Sequence, residues 1–213
     1  MIIEQGRKEY IPRLTDLWQE AFGDSREFIG KFFRTGFAPE RSAVVQGGIG
    51  ALYWFDCLWK GKKIAYIYAV AIRKESRGKG ICGNLMAYTH QVLKERGYAG
   101  AILVPAEEGL FRMYANMGYM PIPGGEIAEK PDVTEQITAG RYLALREKLL
   151  PEGAVHHTEK AFSYMAEFMK FYRFDGGICC EGEILPGGKG EKAMYLSFDG
   201  DSDLPAYFAL GMG

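Results

Sequence analysis

Along the N-terminal half of the chain the apolar positions switch between two periods. Ile11, Leu14, Leu17, Trp18 and Phe22 recur about every 3.6 residues, which predicts a helix from about Lys8 to Phe22 that Gly23 stops. Asp24 with Glu27 resembles a capping box and opens a second helix presenting Phe28, Ile29, Phe32 and Phe33. Apolar runs of strand type then follow: Met1–Glu4 before the helices, Ser42–Gln46 and Ile49–Trp59 split by the Gly47-Gly48 pair, and Lys63–Ile72 after the Lys60-Gly61-Lys62 turn. The second half of Lys63–Ile72 is almost continuously apolar, the signature of a strand buried on both faces. Ile81, Leu85, Tyr88, Val92 and Leu93 mark a helix that ends near Arg96, with Gly97 as its cap. Ala99–Val104 reads as a strand, Gly109–Met117 as a short helix and Tyr119–Ile122 as a strand. The order β-α-α-β-β-β-α-β-α-β predicts an α/β fold, a mixed sheet with helices on both faces.

Pro121–Pro131 is rich in proline and glycine and marks a boundary, giving a domain at 1–122 and an α+β extension at 123–213. Within the extension, helices are expected at Ala139–Leu150 and Glu159–Phe171, and strands at Gly176–Glu183, Lys192–Phe198 and Ala206–Gly211. Phe168-Met169-Lys170-Phe171-Tyr172 before Gly176-Gly177 echoes Phe28-to-Phe33 before Gly47-Gly48. This suggests either a partial second lobe of the same fold or two aromatic helices that match by coincidence.

Composition narrows the chemistry. With 213 residues, 47% of them hydrophobic, the chain can bury a sizeable core, and a net charge of −1 gives no reason to expect nucleic acid or an anionic membrane. The first nine residues mix acids and bases, so no secretion leader is expected, and no apolar run is long enough to span a bilayer; a cytoplasmic protein is expected. Cys57, Cys82, Cys179 and Cys180 lack ligand spacing, so no metal is expected and reduced, buried thiols are the plain reading. His90 reads as a surface or satisfied histidine, His156-His157 as a loop pair, and Gly187-Gly188-Lys189-Gly190 lacks the P-loop pattern.

The stretch Arg77–Gly83 carries Gly78, Gly80 and Gly83 in the order G-x-G-x-x-G. A nicotinamide dinucleotide site needs its first glycine directly after a strand, and Arg73–Arg77 intervenes; it also needs an acid ending the next strand, where Leu103-Val104-Pro105 stands. A bare turn is one alternative. Another is a cradle of backbone N–H groups at a helix start for a pyrophosphate, lined by small residues and assisted by Arg77 or Lys79.

Tyr68-Ala69-Val70-Ala71-Ile72 followed by Arg77-Gly78-Lys79-Gly80-Ile81-Cys82 resembles the acyl-CoA signature of the GCN5-related N-acetyltransferases (GNAT). Tyr114, four residues before Gly118-Tyr119, is similar to that family's second motif, and the resemblance covers roughly residues 1–122. It implies the GNAT acyl-CoA N-acyltransferase fold, with acetyl-CoA as cosubstrate. Val70, Ala71 and Ile72 would pair with pantetheine, and Arg77, Gly78, Lys79, Gly80, Ile81, Cys82 and Gly83 would hold the diphosphate. The thioester would lie between strands ending at Ile72 and Val104, and a primary amine would attack it directly. Tyr114 is then the candidate proton donor to the thiolate, and equally a buried aromatic on a short helix. Glu107 is the candidate base beside Glu108, although two acids also suit a solvated helix start. Cys82 stands where the family has Gly or Ala, and Glu107 where many members have an asparagine. Tyr53-Trp54-Phe55, Tyr66 and Tyr68 can line an acceptor pocket, though alternation along a strand lets only some of them do so. The extension would wall off the acceptor or form a homodimer interface. A non-catalytic acyl-CoA sensor that recognises a partner protein is the rival class.

Overall fold

A computed structural model describes residues 1–125, 131, 135–188 and 190–211. It divides into two compact units, Met1–Phe55 with Ala65–Tyr98, and Asp56–Ile64 with Ala99–Gly213.

In the first unit β1 (Ile3–Gln5) pairs antiparallel with β2 (Ser42–Val45), and β2 with β3 (Gly50–Trp59), so that Val45 faces Gly50. β4 (Lys62–Ile72) lies beside β3. A single 3-10 turn at Lys8–Tyr10 precedes α1 (Ile11–Phe22); Pro12 sits in the first turn, where its missing N–H costs nothing. The buried stripe of α1 is Leu14, Leu17 and Trp18, and Gly23 ends it with φ +80°. The helix α2 (Arg26–Lys31) is capped by Ser25, whose hydroxyl accepts from the Phe28 amide, and not by Asp24. Asp24 instead accepts from Trp18 Nε1 at 2.7 Å, a tertiary bond that removes it from the capping box expected of the sequence. A π-helical turn, Phe32–Gly36, follows α2, closed by the Phe37 amide donating to the Phe32 carbonyl at 2.8 Å. After β4 comes α3 (Ile81–Glu95), which buries Leu85, Met86, Thr89 and Leu93. His90 on that helix is half-buried, and burial pushes it down to about 4.

In the second unit β5 (Gly100–Leu103) is wholly buried, α4 spans Glu108–Ala115 and β6 spans Met120–Pro121. A second sheet has the order β11-β10-β9-β7, built from β7 (Glu135–Ile137), β9 (Phe171–Phe174), β10 (Gly177–Cys180) and β11 (Glu183–Leu185). β8 (His156–His157) pairs with Cys57 and Leu58 of the β3 end that belongs to this unit. β12 (Met194–Ser197) lies between β5 and β6, antiparallel to both, with Met194 opposite Leu103 and Pro121. The helices α5 (Ala139–Leu149) and α6 (Glu159–Met165) pack Tyr142, Phe162 and Met165 against Phe171, Ile178 and Leu185.

Several expectations for this half are corrected. The run Gly176–Glu183 is two strands, because Gly182 turns the chain with φ +94°. The helix expected to reach Phe171 stops at Met165, and Phe171 begins β9, so the resemblance to Phe28–Phe33, which is helical, does not extend to structure. Ala206–Gly211 forms one isolated bridge, Tyr207 to Ala154, in place of a strand. His156-His157, expected in a loop, are the two residues of β8. His157 is buried, its Nε2 donates to the Ala209 carbonyl at 2.7 Å and Cys57 Sγ lies 3.6 Å from its Nδ1, and burial pushes it down to about 3. Residues 126–130 of the expected boundary, and Lys189 of the glycine-rich tract, lie outside the described residues.

The tail residues are held by a side chain. Glu191 donates its amide to the Phe208 carbonyl and accepts from the Gly211 amide through Oε1, each at 2.7 Å. A side chain at 211 would collide with that carboxyl and with Val104, so the position needs glycine. Burial raises the Glu191 carboxyl from the ordinary 4.5 to about 8. At this carboxyl the folded chain therefore keeps a proton that the unfolded chain releases, and the stability contributed by Glu191 is lost as pH rises from about 4.5 to about 8. His90 and His157, both pushed down by burial, act with the opposite sign over the lower part of that window. The test is therefore the comparison: from about pH 4.5 to about 8 the urea midpoint should move further in the destabilising direction in the native chain than in Glu191→Gln. An identical change in both would remove Glu191 as a source.

Candidate active site

The glycine loop is built from the end of β4. Ala69, inside that strand, has φ +49°, a left-handed conformation that a non-glycine residue adopts only when its surroundings impose it. Ala69 and Val70 are half-buried, and Ala71 and Ile72 are buried. Two contacts anchor the departing chain to α1: Glu20 accepts from the Lys74 amide and from Arg73 Nη1, each at 2.7 Å. These bonds, the amide first, hold the Glu20 carboxyl below the usual range. Arg77 Nε donates to the Ile72 carbonyl at 3.1 Å, and Lys79 Nζ to the Glu75 carbonyl at 2.8 Å, so both cations brace the loop itself.

Gly78 and Gly80 both have φ +74°, and Gly80 is the N-cap of α3. No side chain caps that helix, whose first amides have no partner within the helix. Nothing lies within 4 Å of where a Cβ would stand on Gly78, Gly80 or Gly83. Ile81, Cys82 and Gly83 thus begin an uncapped helix, with its positive dipole end, beside three positions where a side chain would meet open space. Burial raises the Cys82 thiol, so this position fills space and supplies no reactive thiolate.

In the second unit, Tyr114 is buried on α4 and packs edge-on against Tyr119 at 5.8 Å between ring centres. The Tyr119 amide donates to the Tyr114 carbonyl at 3.1 Å across Gly118, whose φ is +92°. The Tyr-to-Gly-Tyr spacing seen in the sequence is therefore the C-terminal closure of α4. Glu107 is the N-cap residue of that helix, exposed and without a capping bond, and Glu108 is exposed in its first turn.

The sequence reading missed two features. The left-handed Ala69 has no sequence signal, since alanine in an apolar run reads as plain strand. The aromatic stretches sort by face: Tyr53, Phe55, Tyr66 and Tyr68 share ring contacts with one another or with Trp18 and Phe32. Trp54 instead donates its Nε1 to Tyr98 and stacks under Arg96.

The chain belongs to the GNAT acetyltransferase family, whose domain matches residues 3–122. No curated protein matches the sequence. Among solved structures, the chain is similar to a putative acetyltransferase from Pyrococcus horikoshii, with TM-score 0.64, 11% identity and coverage of 99% of this chain and 94% of that one. It is also similar to GCN5-related N-acetyltransferases from Kribbella flavida (TM-score 0.62, 14% identity, 93% and 71% covered) and from Anabaena variabilis (TM-score 0.61, 20% identity, 85% and 54% covered). The chain therefore spans about half the length of the Anabaena protein. No helix among the described residues is long and apolar enough to cross a membrane.

Proposed function

We propose that this chain transfers an acetyl group from acetyl-CoA to a primary amine by direct attack within a ternary complex. The observation that supports it is the uncapped start of α3 behind Gly78 and Gly80, glycines at which an added Cβ would meet open space, following the end of β4. A diphosphate is an anion of the size and charge such a start attracts. Val70, Ala71 and Ile72 would extend the pairing to the pantetheine amides, as an added strand does. The amine nitrogen bonds to the thioester carbonyl carbon, the C–S bond breaks, the sulfur leaves as thiolate and takes up a proton, and the nitrogen loses one. Positioning supplies most of the rate. Tyr114 is the donor to the sulfur and Glu107 the acceptor of the amine proton in this reading.

Thiol release from acetyl-CoA across a panel of amines tests it. Turnover with at least one amine is expected, and Tyr114→Phe should slow it roughly a hundredfold, the low end for general acids because a thiolate leaves readily. An unchanged Tyr114→Phe rate would remove that residue from its role. Tight CoA binding with no turnover on any amine would make the chain a sensor, and no CoA binding would end the proposal.

A further inference from the structure

The second unit carries a groove of about 580 Å³ along α5 and the β9–β10 hairpin, and the acetyl-transfer reading uses none of its lining residues. Its floor is apolar: Leu145 and Leu149 from α5, Phe174 from β9 and Ile178 from β10. Ile178 is buried, while the two leucines and Phe174 stay half-buried and keep apolar surface open. Phe174 lies against the hairpin backbone because position 177 is glycine; a Cβ there would meet Cε1 of its ring at 3.0 Å. The charged rim sorts into used and unused groups. Arg173 on β9 stands opposite Glu135 on β7 and donates to it through Nε at 3.1 Å and Nη2 at 2.8 Å, so these two charges neutralise each other. Lys148, in the last turn of α5, and Asp175, in the hairpin turn, border the same groove. Neither side chain has a hydrogen-bond or ion-pair partner among the described residues. Either residue alone would suit its helix end or its turn. Together they give an apolar floor one free charge of each sign.

We infer that this groove binds a short apolar peptide with free termini, its carboxylate toward Lys148, its ammonium toward Asp175 and its side chains on the floor. Charge complementarity selects that class. An apolar carboxylate such as a fatty acid would suit Lys148 and meet Asp175 as a like charge, and an apolar amine would do the reverse. A ligand carrying both charges on an apolar body answers both. Size agrees: small-molecule sites run about 300–1,000 Å³, and an extended di- or tripeptide spans roughly 7–11 Å. The inference goes beyond the acetyl-transfer reading and stands or falls without it.

NMR titration of the full chain, without acetyl-CoA, reads both location and affinity. Leu-Leu and Leu-Leu-Leu should shift the Gly176, Gly177 and Ile178 amides to saturation, at least about tenfold tighter than Gly-Gly, the scale of a filled apolar pocket. Blocking either terminus, as N-acetyl-Leu-Leu or Leu-Leu amide, should cost about twofold to fivefold, the scale of an exposed ion pair. Lys148→Gln should bring Leu-Leu to the affinity of its amide and leave the amide itself unchanged. Asp175→Asn should do the same for the acetylated form. Both side chains are exposed, so neither variant threatens the fold. Gly-Gly binding as tightly as Leu-Leu, shifts confined to other residues, or charge variants blind to the blocked termini would overturn the site. Octanoate binding as tightly as Leu-Leu would make it a carboxylate site, and free leucine binding as tightly would make it an amino-acid site; either result overturns the peptide assignment.

Discussion

Replacing Gly80 with glutamate is expected to lower CoA affinity at least about a hundredfold while leaving the fold in place. The position has φ +74°, and no protein atom lies within 4 Å of a Cβ built on it. A side chain there meets no steric wall, so the structural cost is the left-handed backbone alone, about 1–2 kcal/mol. The functional cost is different in kind. The added carboxylate would sit where the amides of α3 converge and compete with a diphosphate for the same donors and the same dipole end. Gly97 provides the control, since it too has φ +74° with nothing nearby and lies just past the other end of α3. Gly97→Glu should show the same modest fall in thermal midpoint and bind CoA as the native chain does. Calorimetry with CoA on both variants decides it. Undiminished affinity in Gly80→Glu would show that the diphosphate lies elsewhere, and the acetyltransferase reading would lose its support.

That loop was legible because its information is local. Small residues, a helix start and the preceding strand lie within fifteen residues of Tyr68. The strand and helix order of residues 1–122 was legible for a related reason: period and glycine punctuation act over short spans, and the family domain matches this region. What escaped depends on distant partners. Asp24 looked like a cap and became the acceptor for Trp18, while its neighbour Ser25 took the cap. The aromatic runs on β3 and β4 announced a cluster but not which rings share a face; that followed from α1 and the π-helical turn, whose extra residue no period anticipates. Beyond residue 122 the reading weakened, because short strands such as β7 and β11 carry too few residues to show a period. Glu183 illustrates the limit. In sequence it is one acid among 27 acidic residues, and nothing nearby marks it for burial.

Glu183 nonetheless carries the largest stability effect expected anywhere in the second unit. Arg146, on α5, and Glu183, on β11, are both buried, and Arg146 donates through Nε to Oε2 at 2.8 Å and through Nη2 to Oε1 at 3.0 Å. Tyr142 donates to Oε2 at 2.9 Å and Tyr207 to Oε1 at 3.2 Å, so both carboxylate oxygens are satisfied. Burial and the Glu183 charge push both phenols up, and Cys180 beside Tyr142 is pushed up to about 12, so none of the three loses its proton near neutral pH. Arg146 Nη1 has no partner among the described residues, which leaves the guanidinium dependent on Glu183 for its compensation. Glu183→Ala would strand that cation in an apolar interior, a loss of about 3–5 kcal/mol. For a chain of this length the thermal midpoint should fall by on the order of 10 °C. Replacing both partners with apolar residues of similar volume, Arg146→Met with Glu183→Leu, should recover much of that loss, because the desolvated charges vanish together. A double variant no more stable than Glu183→Ala would show that the bonds from Tyr142 and Tyr207, and not the ion pair, hold α5 to the sheet. A single variant with an unmoved midpoint would show that water or a shifted helix already compensates the guanidinium.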